Sequence, residues 1–290
     1  MRDYVILTDS CCDLSAQMAE ELGVQVMPMR LLLDDQEYLN YLDGREIGFK
    51  EFYDRVRGGS MPTTSALNVG DFEETMRAIL ETGKDVLYLA FSSGLSTTYQ
   101  SSVIAAESLR EEFPDSKIIV VDTLTASMGQ GLLVYLCAQQ KKAGKTMEEV
   151  RDYAEATKLN ICHWVTVDDL NHLKRGGRVS AATALFGTML TIKPIIHVDN
   201  EGHLINVGKA RGRKASLMTL ADEMAKTAIN PAEQTVFISH GDCLDDVNSL
   251  ADELRSRLGV KEVVINYIGP VIGSHTGAGV VALFFVGSHR

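Results

Sequence analysis

The strongest constraint on the fold is an alternation that runs through the first half of the chain. Short apolar, β-branched runs, YVILTD at 4–9, DVLYLAF at 85–91 and KIIVVDT at 117–123, are separated by stretches of helical periodicity such as DFEETMRAILETG at 71–83 and GQGLLVYLCAQQKKAG at 129–144. Runs of this kind separated by amphipathic helices call for βαβ units, and those favour a parallel sheet covered by helices on both faces. Residues 1–158 therefore read as a doubly wound, Rossmann-like α/β domain with a mostly parallel sheet.

Near residue 158 the rhythm changes. In KPIIHVDNEGHLINVGKA at 193–210, two strands flank an Asp199-Asn200-Glu201-Gly202 turn, which is the pattern of a hairpin and requires antiparallel pairing. With further runs at 234–241, 262–269 and 279–287, residues 159–290 read as a second, mixed or antiparallel α/β domain. The chain is 45% hydrophobic and 23% charged over 290 residues, enough to bury two cores of ordinary size.

The 28 basic and 39 acidic residues leave a formal net charge of −11, which repels polyanions and argues against nucleic acid as a partner. The opening MRDYVILTDSCCD lacks the apolar stretch of a secretory peptide, and no run approaches the ~20 apolar residues that cross a bilayer. A cytoplasmic protein without stable membrane insertion is expected. The five cysteines have no metal-ligand spacing and read as reduced, structural thiols, with no metal site.

Five stretches carry candidate chemistry. In FSSGLSTTYQ at 91–100, behind an apolar strand, Ser92, Ser93 and Ser96 can donate O–H groups while Gly94 lets a ligand approach the backbone. The stretch reads either as an anion or carboxylate site without a fixed charge, or as a helix N-cap with surplus hydroxyls. It has no phosphate-cradling lysine, and neither G-x-G-x-x-G nor G-x-S-x-G occurs in the chain. A second hydroxyl cluster, Thr63-Thr64-Ser65, reads as a loop ahead of a helix beginning near Asp71.

In LKRGGRVSAATALFGTMLTIKP at 173–194, Arg178 follows a glycine pair, and the segment from Val179 to Ile192 has no charged residue. A helix apolar on every side must be buried or line something apolar. In GPVIGSHTGAG at 269–279, the glycines free the backbone to bring His275 near a bound group, and histidine exchanges a proton near neutral pH. Finally, Lys209, Arg211, Arg213 and Lys214 concentrate positive charge in GKARGRKAS, as a docking site for an acidic partner or as a solvated face.

The motifs PTTS, SSGLSTTYQS, LKRGGRVS and GPVIGSHTGAG, in this order over nearly the whole chain, resemble the DegV family. ILTDSCCDLS and KARGRKAS resemble its pattern too. The resemblance implies a two-domain α/β protein that holds one long-chain fatty acid between its domains, needs no cofactor, and presents the carboxylate to a separate ATP-using fatty acid kinase subunit. It implies that Thr64 or Ser65 and Ser93 hydrogen-bond the carboxylate, with His275 and Arg178 beside it and assisting. The uncharged helix, with Ala184, Phe186, Met189 and Leu190, would line the acyl tunnel, and Lys209, Arg211, Arg213 and Lys214 would dock the partner. The chain departs from the usual wording at Ala66-Leu67, Thr97 and Ala278. Two other readings stay open: a serine hydrolase using Ser93 with His275 as base, and a lipid-sensing regulatory module.

Overall fold

The computed structural model describes residues 2–179 and 191–290, so Ala184, Phe186, Met189 and Leu190 lie outside the described residues. The alternation of the first half yields a four-stranded parallel sheet of β1 (Tyr4–Asp9), β2 (Val24–Met27), β6 (Asp85–Ala90) and β7 (Ile118–Asp122), in the order β2-β1-β6-β7. Successive residues of its strands point to opposite faces, as strand geometry requires. Ile6, Leu87, Leu89 and Val121 enter one core with Leu132 and Leu133 of α5 (Met128–Lys142). Leu7, Val86, Tyr88 and Ala90 enter another with Phe72 and Met76 of α3 (Val69–Glu81) and Leu109 of α4 (Thr98–Glu112).

The second half forms a six-stranded mixed sheet from β8 (Ile161–Thr166), β9 (Ile192–Val198), β10 (Leu204–Arg211), β11 (Thr235–His240), β12 (Glu262–Tyr267) and β13 (Val281–Val286), in the order β10-β9-β8-β13-β11-β12. All its pairs are antiparallel except β11 with β12. The hairpin falls where the sequence places it, and Asp199 accepts the N–H groups of Glu201 and His203 to hold the turn. One face packs on α8 (Arg213–Thr227) and α9 (Leu244–Leu258) through Ile238, Leu283, Leu220 and Leu250. The other face turns Val165, Phe237 and Phe284 toward α5. The layers are thus helix, parallel sheet, helix, mixed sheet, helix, with α5 shared by both sheets.

A three-stranded antiparallel sheet adds to this plan: β3 (Met29–Leu33), β4 (Gln36–Asn40) and β5 (Thr63–Ser65), in the order β4-β3-β5. Its hairpin turns at Asp34 and Asp35, whose φ values of 50° and 63° match a mirror-image two-residue turn that usually signals itself by Asn-Gly. Thr63-Thr64-Ser65 is accordingly a strand rather than the loop expected. It pairs with β3 so that Thr64 faces Leu31 in register, and Arg30 locks β3 to α3 through a two-bonded pair with Asp71 at 2.7 and 2.8 Å. That helix starts at Val69 with Asn68 and Asp71 in a reciprocal capping box.

The halves meet through buried polar contacts. Tyr53 of α2 (Phe49–Arg57) donates to the Ile268 carbonyl at 2.8 Å, and Ser127 Oγ lies 2.9 Å from Ser239 Oγ. Four of the five thiols are buried and all are free; burial pushes the Cys11 and Cys12 thiols up, which disfavours the reactive thiolate. Among the described residues, no helix is long and apolar enough to cross a membrane.

A side chain at Gly129, in the first turn of α5, would place its Cβ 2.1 Å from His163 Nε2 of β8. Gly129→Ala in an exposed helix would stabilise by up to about 1 kcal/mol. Here the clash decides the sign, and a loss of about 1–3 kcal/mol is expected in urea denaturation.

Candidate functional site

A cavity of about 530 Å³, within the range of small-ligand sites, lies between the loop after β6, the inner face of the mixed sheet and α10 (Pro270–Thr276). Its body is apolar: Phe91 and Leu95 come from the loop, Ile196, Ala282 and Phe284 from the sheet, and Ile272 from α10. Thr64, Ser65, Ser93, Arg178 and His275 all line it. Residues spread over 212 positions of sequence (64 to 275) therefore converge on one cavity.

Thr64 Oγ1 and His275 Nε2 are 2.8 Å apart. His275 Nδ1 is buried with no hydrogen-bond partner among the described residues. It rests against Gly176, where a Cβ would stand 2.3 Å away, so the GGR turn must carry glycine to let the imidazole in. A neutral imidazole has one N–H. On Nε2 that proton is satisfied by Thr64, whereas on Nδ1 it would be a buried donor without an acceptor. The hydrogen-bond network therefore assigns the proton to Nε2, and Thr64 keeps its own O–H for the cavity.

Arg178 follows the same turn. Its guanidinium donates to the carbonyls of Leu95, at 3.3 Å, and Gly176, which ties the GGR turn to the hydroxyl loop. Burial, with the Arg178 charge second, pushes His275 down to about 4. The site thus pairs a fixed cation with a neutral histidine, and combines charge-assisted and O–H donors for an anion. Among the described residues, no group of three His, Cys, Asp or Glu side chains converges as a metal site would require.

Not every hydroxyl of the loop faces the cavity. Ser92 is buried, donates to the Gly202 carbonyl at 2.9 Å and is absent from the lining, whereas Ser96 lines the cavity and pairs with Thr98 Oγ1 at 2.8 Å. The space beside Gly94 is taken by the hairpin turn, since a Cβ there would be 2.8 Å from the carbonyl oxygens of Glu201 and Gly202. Ser96 also accepts the Thr98 N–H, but the N-cap of α4 is Thr97 and makes no side-chain cap bond, so the capping reading does not hold; exposed Ser93 lines the cavity. Thr97, one of the departures from the family wording, has φ −78°, a value any residue adopts, so the backbone there makes no special demand.

The hydrolase pairing does not assemble. His275 Nε2 is directed to Thr64, no carboxylate among the described residues holds Nδ1, and an imidazole near 4 is a weak base. Arg213 is not part of an outward basic patch either. It turns inward to Asp246 at 2.9 Å and to Cys243, while Lys209, Arg211 and Lys214 are exposed.

Two lining residues escape a reading by motif. His163 donates from Nδ1 to the Ile161 carbonyl at 2.9 Å and accepts the Ala126 N–H at Nε2, so it is neutral, and burial drives its pKa well down. Ser127, with φ 53°, gives its hydroxyl to Asp13. Neither has a local signal, because both reach the cavity from the start of α5 and the centre of the mixed sheet.

An α/β protein with an apolar cavity and a hydroxyl, histidine and arginine wall is a ligand-binding architecture. The chain belongs to the DegV family: the family described as "Uncharacterised protein, DegV family" matches residues 3–288. It is 47% identical over its full length to a DegV domain-containing protein of Clostridium perfringens, covering 99% of that protein. A DegV family protein from Thermus thermophilus, reported for fatty acid binding, superposes with a TM-score of 0.85 at 34% identity, over 98% of this chain and 99% of that one. A DegV lipid binding protein from Thermotoga maritima gives 0.88 at 29% identity, over 99% of both chains.

Because His275 is held below its ordinary 6.5, the unfolded chain binds its proton more readily than the folded one between about 4 and 6.5. Its contribution to stability is full above that window and is lost as pH falls through it. His275→Gln should flatten this part of the stability profile in denaturant titrations from pH 4 to 7, and the His275 resonances of the native protein should not titrate above pH ~5.5.

Proposed function

We propose that this protein is a cytoplasmic carrier that holds one long-chain fatty acid and presents its carboxylate to a separate ATP-using kinase subunit for acyl phosphate formation, with no catalysis of its own. The observation that carries the reading is the junction of Thr64, His275 and Arg178 with an apolar cavity of about 530 Å³. The Thr64 and Ser93 hydroxyls and the Arg178 guanidinium receive the carboxylate, Ser65 stands beside them, and the acyl chain follows Phe91, Ile196 and Phe284. The ligand then lies between units of residues 1–158 and 159–290.

The two parts of the ligand contribute differently. At about 0.8 kcal/mol per buried CH₂, a sixteen-carbon chain contributes on the order of 10 kcal/mol before the costs of association. Each charge-assisted bond to the carboxylate adds roughly 1.5–3 kcal/mol. Affinity comes mainly from the chain and orientation from the head group, which suits a carboxylate that must be reached by a second protein. Lys209, Arg211 and Lys214, on and just beyond the edge strand β10, form the surface we assign to that partner.

Native mass spectrometry of protein purified from bacteria without added lipid, followed by lipid extraction, tests the carrier role. A stoichiometric long-chain fatty acid is expected; an empty protein that also takes up none on addition overturns the reading. Thr64→Ala should weaken palmitate binding by roughly ten- to a hundredfold. Lys209→Glu with Arg211→Glu should leave palmitate binding intact while acyl phosphate formation with the kinase subunit falls; unchanged turnover would remove β10 as the docking edge.

A further inference from the structure

The ILTDSCCDLS motif is not used by the carrier reading, yet its second aspartate makes three hydrogen bonds that tie the opening turn to more distant segments. Asp13 follows the Ser10–Cys12 turn with φ 51° and is 2% exposed. One carboxyl oxygen accepts the Gly269 N–H at 2.9 Å and the other accepts Ser127 Oγ–H at 2.6 Å. Its main-chain carbonyl accepts Asn266 Nδ2–H at 2.9 Å.

Both partners of the carboxyl group lead to the cavity. Gly269 is the N-cap of the seven-residue α10, which carries His275 in its last turn. Ser127 is itself in the cavity wall and bonds onward to Ser239. Tyr53 grips the same segment through the Ile268 carbonyl, so the start of α10 is held from two sides and its far end meets Thr64.

We infer that Asp13 is a positioning residue of the head-group site: through Gly269 and Ser127 it sets α10 and the Ser127 turn at the spacing that brings His275 onto Thr64. The inference rests on the carrier reading for its ligand and on the geometry for its mechanism.

The charge state of the carboxyl is compatible with this role. The charged group acting on it is Asp9 at the end of β1; Cys11 and Cys12 in the following turn and Tyr53 on α2 face it too, but burial raises their pKa values and keeps them neutral. Burial outweighs the Ser127 and Gly269 hydrogen bonds and pushes Asp13 up to about 7. In the protonated form one oxygen still accepts from Gly269 while the other donates to Ser127, whose own hydrogen turns to Ser239. An asparagine side chain offers the same acceptor and donor, whereas alanine offers neither.

The test compares palmitate with hexadecanol, which has the same chain without the acid, on wild type, Asp13→Asn and Asp13→Ala. Asp13→Ala should lose affinity for palmitate by about tenfold, the worth of one or two hydrogen bonds, with hexadecanol affinity unchanged. Asp13→Asn should keep palmitate affinity within about threefold. A purely structural role would weaken both ligands together, and that result, or no change in either, overturns the inference. If Asp13→Ala fails to fold by circular dichroism, Asn266→Ala, which removes a bond to Asp13 without touching the cavity wall, replaces it with the same selective loss expected. Failure of the wild type to bind palmitate refutes the carrier reading instead, so the two failures are distinguishable.

Discussion

The burial of α5 between two sheets is the constraint on which the rest of the structure depends. Leu132, Leu133, Val134, Cys137 and Ala138 are at most 1% exposed because one side of the helix meets the parallel sheet and the other the mixed sheet. A helix used as a spacer separates the sheets further than direct sheet packing allows. Where the helix begins, at Ala126 and Ser127, the space between the strand ends is left as the cavity. The tight fit of Gly129 on His163 fixes that boundary.

Around the opening, the chemistry follows from what burial permits. A charged histidine next to Arg178 in an apolar wall is disfavoured twice, by desolvation and by the guanidinium, so the neutral form with its proton toward Thr64 is retained. Under the proposed carrier role, an incoming carboxylate would meet a guanidinium already held by carbonyls and a hydroxyl already oriented. Pre-organisation of this kind lowers the ordering cost of binding.

Much of this arrangement was legible in the residues. The β-branched runs announced the parallel sheet, the Asp199 to Gly202 turn announced the hairpin, and PTTS, GGR and SHTG each marked a segment that reaches the cavity. The sheet of β3, β4 and β5 was not legible, because its turn uses Asp34-Asp35 in place of glycine and its third strand is three residues long. Nor did composition separate Ser93 from Ser92, or Arg213 from Lys214. Neighbours in sequence point to different sides, and the partner that claims Ser92 lies 110 positions away.

What the sequence determined by itself is the local inventory: the main strands and helices of the two large sheets, where hydroxyls, glycines and cations cluster, and which family these belong to. Periodicity, turn chemistry and motif spacing are properties of short windows, and short windows are what a sequence displays directly. Only the tertiary structure decided which hydroxyl faces the cavity, which nitrogen of His275 carries the proton and why Asp13 is buried. Those outcomes depend on hydrogen-bond partners brought from distant strands, and on desolvation that exists only once the two sheets have closed on α5.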